Sequence, residues 1–424
     1  MAKLKDELEN RSPVRVIHLS SMLAPIDTQG FADLLRRFRV SNEACRGTWQ
    51  GTQAPLLACG MADYLAFLRR LEHPAPNEEG EGREHHFLRV DLDATVVSLD
   101  DPAAFLDFLS GSLNSRHFNA MRREKREVIK ASNKIEKIRS EHDFYHLLPP
   151  RYQRWFVLPY DLTVDAGSAS YRMERLLVPD MGKQWIHGGL TIANFDAFLD
   201  DVGQFIRERP TRPCGAPAAQ AHFNELYQAK LAARLDQLRQ QPLFGRLDAF
   251  VRNGTSHGGI DAIVKSYFTL LDRLAQPATR IEAIGHGDLC FSNILYDKRV
   301  RLLKLIDPKG ASSADELYTD PYYDLAKLSH SVLGGYDFIV NGLYEIQIGE
   351  GIELSLTQLS HDLLPYRTRF VAWLEEQGWE PSRVRLYEAS LFLSMLPYHV
   401  DRPRNLLAFL LTAGNILKEL ESQP

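Results

Sequence analysis

The sequence predicts an α+β protein in which a small lobe built on an antiparallel sheet precedes a large helical lobe, with a further small α/β domain at the N-terminus. Three observations support this class. Strand and helix patterns alternate up to about residue 108, short strand-like segments dominate residues 109–190, and long apolar patterns at helical spacing fill residues 191–424. We therefore expect three parts: 1–108, 109–190 and 191–424.

The composition is that of a soluble globular protein, with 44% apolar and 25% charged residues among 424. A net charge of −5 gives no basic surface of the kind that nucleic-acid binding needs. The four cysteines are scattered, without C-x-x-C spacing, which argues against a zinc site or a disulfide framework. No apolar run is long enough for secretion or a membrane span. We expect a cytoplasmic protein with neither a nucleic-acid nor a membrane partner, and its oligomeric state is not indicated.

In the N-terminal part the predicted elements alternate. They are a strand at 14–20, helices at 30–38 and 62–72, a strand at 87–99 and a helix at 100–109. This segment is larger than a few added strands, and we interpret it as a domain of its own.

Two motifs in this first domain resemble those of known enzyme families. The run Asp91-Leu92-Asp93-Ala94-Thr95 resembles the D-x-D-x-T pattern of haloacid-dehalogenase phosphatases, in which the first Asp is the nucleophile and the second the acid/base. The alternative is a strand edge with solvated acids. A third interpretation is a remnant of a sugar-nucleotide nucleotidyltransferase around Leu99-Asp100-Asp101-Pro102, without chemistry of its own.

The most informative stretch is 281–310, where two polar loops follow apolar, strand-like runs. His286-Gly287-Asp288 is followed by Asn293, and Asp307 comes after the next apolar run. The order Asp, Asn, Asp suits metal-assisted phosphoryl transfer. One carboxylate orients the attacking hydroxyl and accepts its proton, while an amide oxygen and a second carboxylate hold Mg²⁺. Asp288, Asn293 and Asp307 are therefore the predicted catalytic residues, with Asn293 and Asp307 as metal ligands.

The loop HGDLCFSNIL resembles the H-G-D-x-x-x-x-N loop of aminoglycoside phosphotransferases and choline kinases, relatives of the protein kinases. The continuation DPKG…YTDPYYDLAKLSHSVLGGYDFI is similar to phosphotransferase-like proteins of bacterial capsule and surface-polysaccharide loci. The resemblance covers roughly residues 110–420 and implies a protein-kinase-like two-lobe fold, ATP and Mg²⁺ as cofactors, and a small-molecule hydroxyl acceptor. Pro308-Lys309-Gly310 departs from the drug-modifying and choline-kinase pattern, which leaves the acceptor unnamed.

Upstream, the segment 127–132 predicts a short strand that carries Lys130, followed by a helix. Asn133 and Glu136 have the spacing of a capping box, which leaves Glu141 as the carboxylate that pairs with Lys130. A strand lysine fixed by a helix glutamate is suited to hold the nucleotide phosphates. The alternative is an ordinary solvated basic run.

Further nucleotide contacts are predicted through the main chain. Gly111 and Ser112 lie in a small polar turn whose amides can cradle phosphate oxygens, although an ordinary hairpin loop has the same composition. The resemblance implies a hinge that binds adenine at the end of a later strand, among the residues 173–176, with Glu174 and Leu176 as its candidates.

Other residues receive structural interpretations. His286 is predicted to support the loop, because Asp288 already serves as the base. Asp324 matches a position that the resemblance assigns to bracing this loop, with local capping by Asp320 as the alternative. Tyr322, His330 and Tyr336 are predicted to line the acceptor side.

The predicted function is transfer of the γ-phosphoryl group of ATP to a hydroxyl of a small molecule such as a sugar, polyol or amino alcohol, in surface-polysaccharide biosynthesis. Two other classes remain open: a catalytically weak pseudokinase or scaffold, and a protein Ser/Thr kinase. No A-P-E-like segment follows Asp307, which argues against the protein kinase.

Overall fold

A computed structural model of the chain describes residues 16–19, 23–25, 28–40, 43–49, 52–72, 88–92, 96–98, 120–123, 127–274, 280–348, 351–356 and 362–422. The chain divides into two compact units, Met1–Phe108 and Leu109–Pro424. Each is a mixture of helices and small sheets, and the second contains a large helical portion. The predicted α+β class is confirmed.

The first unit is built on a four-stranded sheet of order β1-β4-β3-β5, in which β3 and β5 are parallel and the other pairs antiparallel. A second small sheet pairs β2 with β6. Phe31 and Phe38 of helix α1 pack with Leu56 of β4 and Leu92 in one apolar core. The elements are β1 (Val16–Leu19), β2 (Leu23–Pro25), α1 (Thr28–Val40), β3 (Cys45–Trp49), β4 (Thr52–Cys59), α2 (Met61–Glu72), β5 (Leu88–Asp91) and β6 (Val96–Ser98).

The second unit begins with a four-stranded antiparallel sheet of order β7-β8-β10-β9. Helix α3 packs against β8, β9 and β10 of this sheet. Tyr171 and Met173 of β10 share a buried cluster with Ile138 of α3 and with Leu295, so the sheet is tied to the segment that follows the predicted catalytic loop. These first elements are β7 (Ala120–Arg123), β8 (Glu127–Ser132), α3 (Ile135–Leu147), α4 (Pro150–Gln153), β9 (Pro159–Val164) and β10 (Ala169–Glu174).

The helical portion follows and encloses a large core rich in aromatic side chains. It also contains the sheet β11-β12-β15 and the hairpins β13-β14 and β16-β17. Its elements are α5 (Met181–Ile186), α6 (Ile192–Arg207), β11 (Thr211–Pro213), α7 (Ala216–Asn224), a π-helical segment (Glu225–Ala229), α8 (Lys230–Arg239), α9 (Phe244–Gly254), α10 (Ile260–Leu274), β12 (Ile281–Ile284), a 3₁₀ turn (Phe291–Asn293), β13 (Ile294–Asp297), β14 (Leu302–Leu305), a second 3₁₀ turn (Asp315–Leu317), β15 (Tyr318–Thr319), α11 (Tyr322–Val332), α12 (Tyr336–Val340), β16 (Tyr344–Ile348), β17 (Ile352–Leu356), α13 (Leu364–Glu376), α14 (Pro381–Met395), a third 3₁₀ turn (Leu396–His399) and α15 (Pro403–Glu421). Within the part of the chain that the structure describes, no helix has the length and hydropathy to cross a membrane.

The predicted capping box at helix α3 is wrong. The helix begins at Ile135, its N-cap residue is Lys134, and no side chain caps it. The hydroxyl of Ser132 instead accepts a hydrogen bond from the backbone N–H of Lys134, a local side-chain interaction that competes with capping by Asn133.

Other differences concern the limits of elements. The strand predicted at 87–99 is two strands, β5 and β6. The helical pattern of residues 191–424 is interrupted by the π-helical segment and by the hairpin β16-β17, neither of which was predicted. The helix predicted at 100–109 lies outside the described residues.

Candidate active site

The loop 285–293 is held by helix α11. Both carboxylate oxygens of Asp324 accept backbone N–H groups of this loop, from His286 and Gly287, each at 2.8 Å. Asp324 is fully buried, and the guanidinium of Arg209, also buried, lies 3.5 Å from it. Asp320 accepts a hydrogen bond from Tyr322 N at 2.8 Å, so both interpretations of this segment, bracing and capping, have a counterpart in the structure.

His286 is a buried link between the two halves of the site. Its Nε2 lies 2.9 Å from the carbonyl oxygen of Ile306, and its Nδ1 accepts a hydrogen bond from Asp288 N at 3.2 Å. This pattern assigns the proton to Nε2. Burial lowers the pKa of His286, which keeps the ring neutral. The neutral ring, stacked on Phe156, ties the Asp288 loop to the residue before Asp307.

Asp288 and Asn293 meet within the loop. The side-chain amide of Asn293 donates to the carbonyl oxygen of Asp288 at 2.8 Å and to its carboxylate at 3.2 Å. Because the amide nitrogen is used in this way, the amide oxygen of Asn293 points elsewhere. The carboxylate of Asp288 keeps 40% of its surface exposed, which leaves it accessible to a substrate.

Lys130 joins the small sheet to this loop region. Its ammonium lies 2.7 Å from Glu141 of helix α3 and 2.8 Å from Asp307. Burial disfavours its charge, but the carboxylates of Asp307 and Glu141 outweigh burial and raise the pKa of Lys130. The pairing of Lys130 with Glu141 is the one that the sequence predicts, whereas its direct contact with Asp307 was not predicted.

Asp307 has a strained backbone. Its φ of 56° lies in the left-handed region, which a non-glycine residue rarely adopts. The backbone N–H of Ile306 donates to the carbonyl oxygen of Asn293 at 3.1 Å, which extends the β13-β14 pairing and brings Asp307 next to Asn293. Backbone strain of this kind is concentrated at functional sites.

The turn after Asp307 lies against helix α3. Gly310 has a φ of 93°, and a Cβ added there would lie 2.6 Å from the hydroxyl of Ser140 and 3.1 Å from the backbone nitrogen of Glu141. Ala311 N donates to the carbonyl oxygen of Ser140 at 2.9 Å. The absence of a side chain at Gly310 therefore allows Asp307 and Glu141 to approach the same lysine.

We expect Gly310→Ala to destabilise the second unit by about 2–4 kcal/mol, since it combines a left-handed backbone with overpacking. Gly342 is the matched control, because its φ is 71° but a Cβ there would meet nothing within 4 Å. Gly342→Ala should cost only about 1–2 kcal/mol. Urea unfolding of both variants measures the difference, and equal losses would contradict the close packing of the turn on α3.

Two buried carboxyl groups lie beside the loop. Burial raises the pKa of Asp337 to about 7 and that of Asp180 to about 6. They approach each other across Gly182, where an added Cβ would lie 2.8 Å from an oxygen of Asp337 and 3.2 Å from one of Asp180. One oxygen of Asp337 has no hydrogen-bond partner among the described residues.

This environment predicts a pH-dependent stability. The folded state raises the pKa of Asp337 above its ordinary value of 3.8, so it binds the proton more tightly than the unfolded state does. The contribution is fully present below about pH 4 and is lost as the pH rises through about 7. We expect the stability of Asp337→Asn relative to the parent to increase as the pH rises from 5 to 8, on the order of 1–3 kcal/mol.

Urea unfolding at the two pH values measures this gain. Asp297→Asn is the control, because the hydrogen bonds of Arg299 lower the pKa of Asp297 to about 2 and its effect should not change between pH 5 and pH 8. A constant difference between Asp337→Asn and the parent at both pH values would refute the prediction.

The remaining predicted residues are placed as follows. Glu174 ends strand β10 and is exposed, and Leu176, two residues later, packs against the cluster that contains Leu295. Gly111 and Ser112 lie outside the described residues. Asp91 ends strand β5, while Asp93 also lies outside them.

The predicted acceptor-side residues are wrong as pocket-lining groups. Tyr322, His330 and Tyr336 are each at least 95% buried, and His330 lies between the rings of Tyr336 and Phe392. The helical spacing of these three residues is explained by their packing in the apolar core of the helical portion.

Lys327 is the residue that sequence reasoning missed. It lies on helix α11, one turn after Asp324, and its ammonium is 2.9 Å from the carboxylate of Asp288. A signal was present, because Lys327 comes one helical turn after Asp324 and therefore lies on the side of α11 that the resemblance places against the loop.

Comparisons with known proteins give only distant structural similarity. No family model matches the chain, and no curated protein sequence matches it significantly. A thermostable mutant of aminoglycoside phosphotransferase APH(4)-Ia, in a ternary complex with ADP and hygromycin B, is 13% identical with a TM-score of 0.45, and the alignment covers 76% of this chain and 98% of that one.

Two other solved structures are similar at the same level. The aminoglycoside phosphotransferase APH(3'')-Id from Streptomyces rimosus ATCC10970, with ADP and streptomycin, is 15% identical (TM-score 0.38, 70% and 98% covered). A protein of Haemophilus somnus 129PT described as a fructosamine-3-kinase is 13% identical (TM-score 0.40, 74% and 95% covered). Likeness at this level does not assign an activity to this chain.

Proposed function

We propose that the chain is an ATP-dependent phosphotransferase that moves the γ-phosphoryl group to a hydroxyl of a small molecule. The observation that carries the proposal is the buried Lys130 held at 2.7 and 2.8 Å by Glu141 and Asp307, next to the loop of Asp288 and Asn293. A lysine fixed in this way, together with a separate exposed carboxylate, supplies both functions that phosphoryl transfer requires: phosphate positioning and acceptor orientation.

In this reaction Asp288 orients the acceptor hydroxyl and takes its proton. The acceptor oxygen forms a bond to the γ-phosphorus, the bond between that phosphorus and the β,γ-bridging oxygen breaks, and ADP leaves with the electron pair. Lys130, kept in place by Glu141, holds the nucleotide phosphates. His286 remains neutral and keeps the two loops in register, since its contacts go to backbone groups.

The donor set fits Mg²⁺. Asp307 offers a carboxylate with 35% of its surface exposed, and Asn293 an amide oxygen oriented away from Asp288. Among the described residues no group of three or more His, Cys, Asp and Glu side chains could hold a metal ion. Two hard oxygen ligands suit an ion that completes its shell with water and substrate phosphates. Bound there, Mg²⁺ would neutralise charge on the triphosphate.

The acceptor we propose first is a precursor of a surface polysaccharide, which rests on the sequence resemblance of residues 307–339. The pseudokinase and the protein kinase are retained as competing outcomes of the test. The phosphatase interpretation of Asp91 and Asp93 stays a prediction, since Asp93 lies outside the described residues.

The test is to incubate the protein with ATP, Mg²⁺ and a panel of sugars, polyols and amino alcohols, and to detect phosphorylated acceptors by mass spectrometry. At least one acceptor should be phosphorylated in a Mg²⁺-dependent reaction. Nucleotide binding without turnover on any member would instead favour a pseudokinase. Phosphorylation of generic protein substrates would favour a protein kinase.

A separate prediction concerns Lys130. We expect Lys130→Met to weaken nucleotide binding about 10- to 100-fold, because the lost charge-assisted hydrogen bonds are those proposed to reach the phosphates. Lys137→Met is the matched control. Lys137 also pairs with Glu141, at 3.5 Å, but is 48% exposed. Titration of both variants with a nonhydrolysable ATP analogue measures the effect, and equal weakening in both would contradict the role of Lys130.

A further inference from the structure

The carboxylate of Asp288 has an ammonium group as its partner. Lys327 Nζ lies 2.9 Å from it, and the lysine side chain is only 14% exposed. This contact involves the oxygen of Asp288 that does not accept from Asn293. A positive charge therefore lies beside the carboxylate that is proposed to bind the substrate hydroxyl.

A second ammonium lies on the same side. Lys230, exposed at the start of helix α8, donates to the hydroxyl of Tyr323 at 2.9 Å, and its charge is 5.2 Å from the centre of that ring. Tyr323 and Lys327 are four residues apart on α11 and thus share one face of the helix. The ring of Tyr323 therefore lies on the side of α11 that carries Lys327, and Lys230 contacts the hydroxyl of that ring.

The field of both lysines reaches this hydroxyl. Burial raises the pKa of Tyr323, but the charges of Lys327 and Lys230 outweigh burial, so the pKa is lowered overall. A phenol hydroxyl is neutral at ordinary pH and does not neutralise an ammonium group. Lys230 contacts Tyr323, and Lys327 lies on the same helix face as Tyr323 and contacts Asp288, so the two lysines form one cationic patch, which we define as Lys230 and Lys327.

The charges of this patch are not balanced within the described part of the chain. Lys327 is paired with Asp288, whereas no described carboxylate lies within 4.0 Å of Lys230 Nζ. When Asp288 accepts a hydrogen bond from the acceptor hydroxyl, the negative charge of Asp288 is shared between that hydroxyl and Lys327. One excess positive charge then lies close to the acceptor.

We propose that the acceptor carries an anionic group, a phosphate or a carboxylate, near the hydroxyl that it presents to Asp288, and that Lys230 and Lys327 select it. This inference rests on the proposed function. An ammonium suits either anion, since it binds as a point charge with several donors. A neutral or cationic acceptor would leave the patch without a partner or be repelled by it.

The experiment compares acceptors that differ in one charged group: glycerol 3-phosphate with glycerol, and gluconate with glucitol. The values of kcat/KM are measured for the parent, Lys230→Met, Lys327→Met and the control Lys265→Met, which removes an exposed lysine of helix α10. The parent should prefer the anionic member of at least one pair by tenfold or more. Each patch variant should reduce this preference by about tenfold, as expected for loss of a charged hydrogen bond, and the control should retain it.

Two results would overturn the inference. The first is a parent protein that shows no preference for either anionic compound. The second is an equal loss of kcat/KM on charged and neutral acceptors in the patch variants, as expected if the lysines act on the transferred phosphoryl group. Which pair shows the preference distinguishes phosphate from carboxylate.

A binding experiment separates this inference from the proposed function. The same four compounds are added without nucleotide, and the shift in Tm of the protein is the readout. Anion-selective shifts that disappear in both patch variants, without turnover of any compound, would overturn the proposed function and support the anionic site. Turnover without charge preference would support the proposed function and overturn the anionic site. If there were no turnover and no selective binding, both the proposed function and the anionic site would be overturned.

Discussion

Asp288→Asn is expected to lower kcat about a thousandfold, the usual magnitude when a general base is removed. The amide keeps the shape of the side chain but cannot accept a proton from the acceptor hydroxyl. Because Asp288 is not among the groups that hold Lys130, the affinity for nucleotide should change little. Single-turnover kinetics with saturating ATP, together with a separate nucleotide titration, would measure the two effects.

Asp297→Asn serves as the control for this variant. Asp297 lies on the neighbouring hairpin and pairs with Arg299, so its replacement leaves the proposed base intact. Turnover by Asp288→Asn at the parent rate would refute the mechanism. A parallel loss of nucleotide binding would show instead that the loop as a whole had been disturbed.

The second large effect is expected at Asp324. Asp324→Ala should destabilise the second unit by about 3–5 kcal/mol, because it leaves Arg209 as a buried cation and two backbone N–H groups without their acceptor. Urea unfolding would measure this loss. Activity should fall as well, because the backbone of the loop around Gly287 loses the hydrogen bonds that hold it in place.

Asp320→Ala is a demanding control, because it removes another buried aspartate at the start of the same helix. Asp320 accepts from Tyr322 N in a capping arrangement, for which a loss of about 0.5–2 kcal/mol is usual. If the two variants were equally destabilised, Asp324 would contribute no more than an ordinary cap.

The elements and the contact that were predicted correctly from sequence are those whose signals are local. Alternation and helical spacing predicted the strand of Lys130 and the helix of Glu141, which follow one another directly. The choice of Glu141 as the partner is confirmed, although it rested on a capping box that the structure does not form. The α+β class followed from the same patterns. Asn133 and Glu136 show the limit of such reasoning, because the hydroxyl of Ser132 competed for the first turn.

Contacts between distant segments could not be predicted in this way. The pairing of Lys327 with Asp288 depends on how helix α11 docks on the loop, and the approach of Asp307 to Lys130 depends on the left-handed backbone at Asp307. The burial of His330 depends on helix α14, which supplies Phe392. Tertiary packing decides each of these positions, and spacing along the chain does not encode it.

Helix α11 has one property that bears on engineering. Within one turn it carries Asp324, which holds the backbone of the loop, and Lys327, which contacts Asp288. It packs against α14, to which Ser329 is joined by a hydrogen bond to Glu388. Under the proposed function, directed evolution of acceptor preference should vary the side chain at 327 and leave the α11–α14 contact unchanged, because a tilt of this helix would displace Asp324 and Lys327 together.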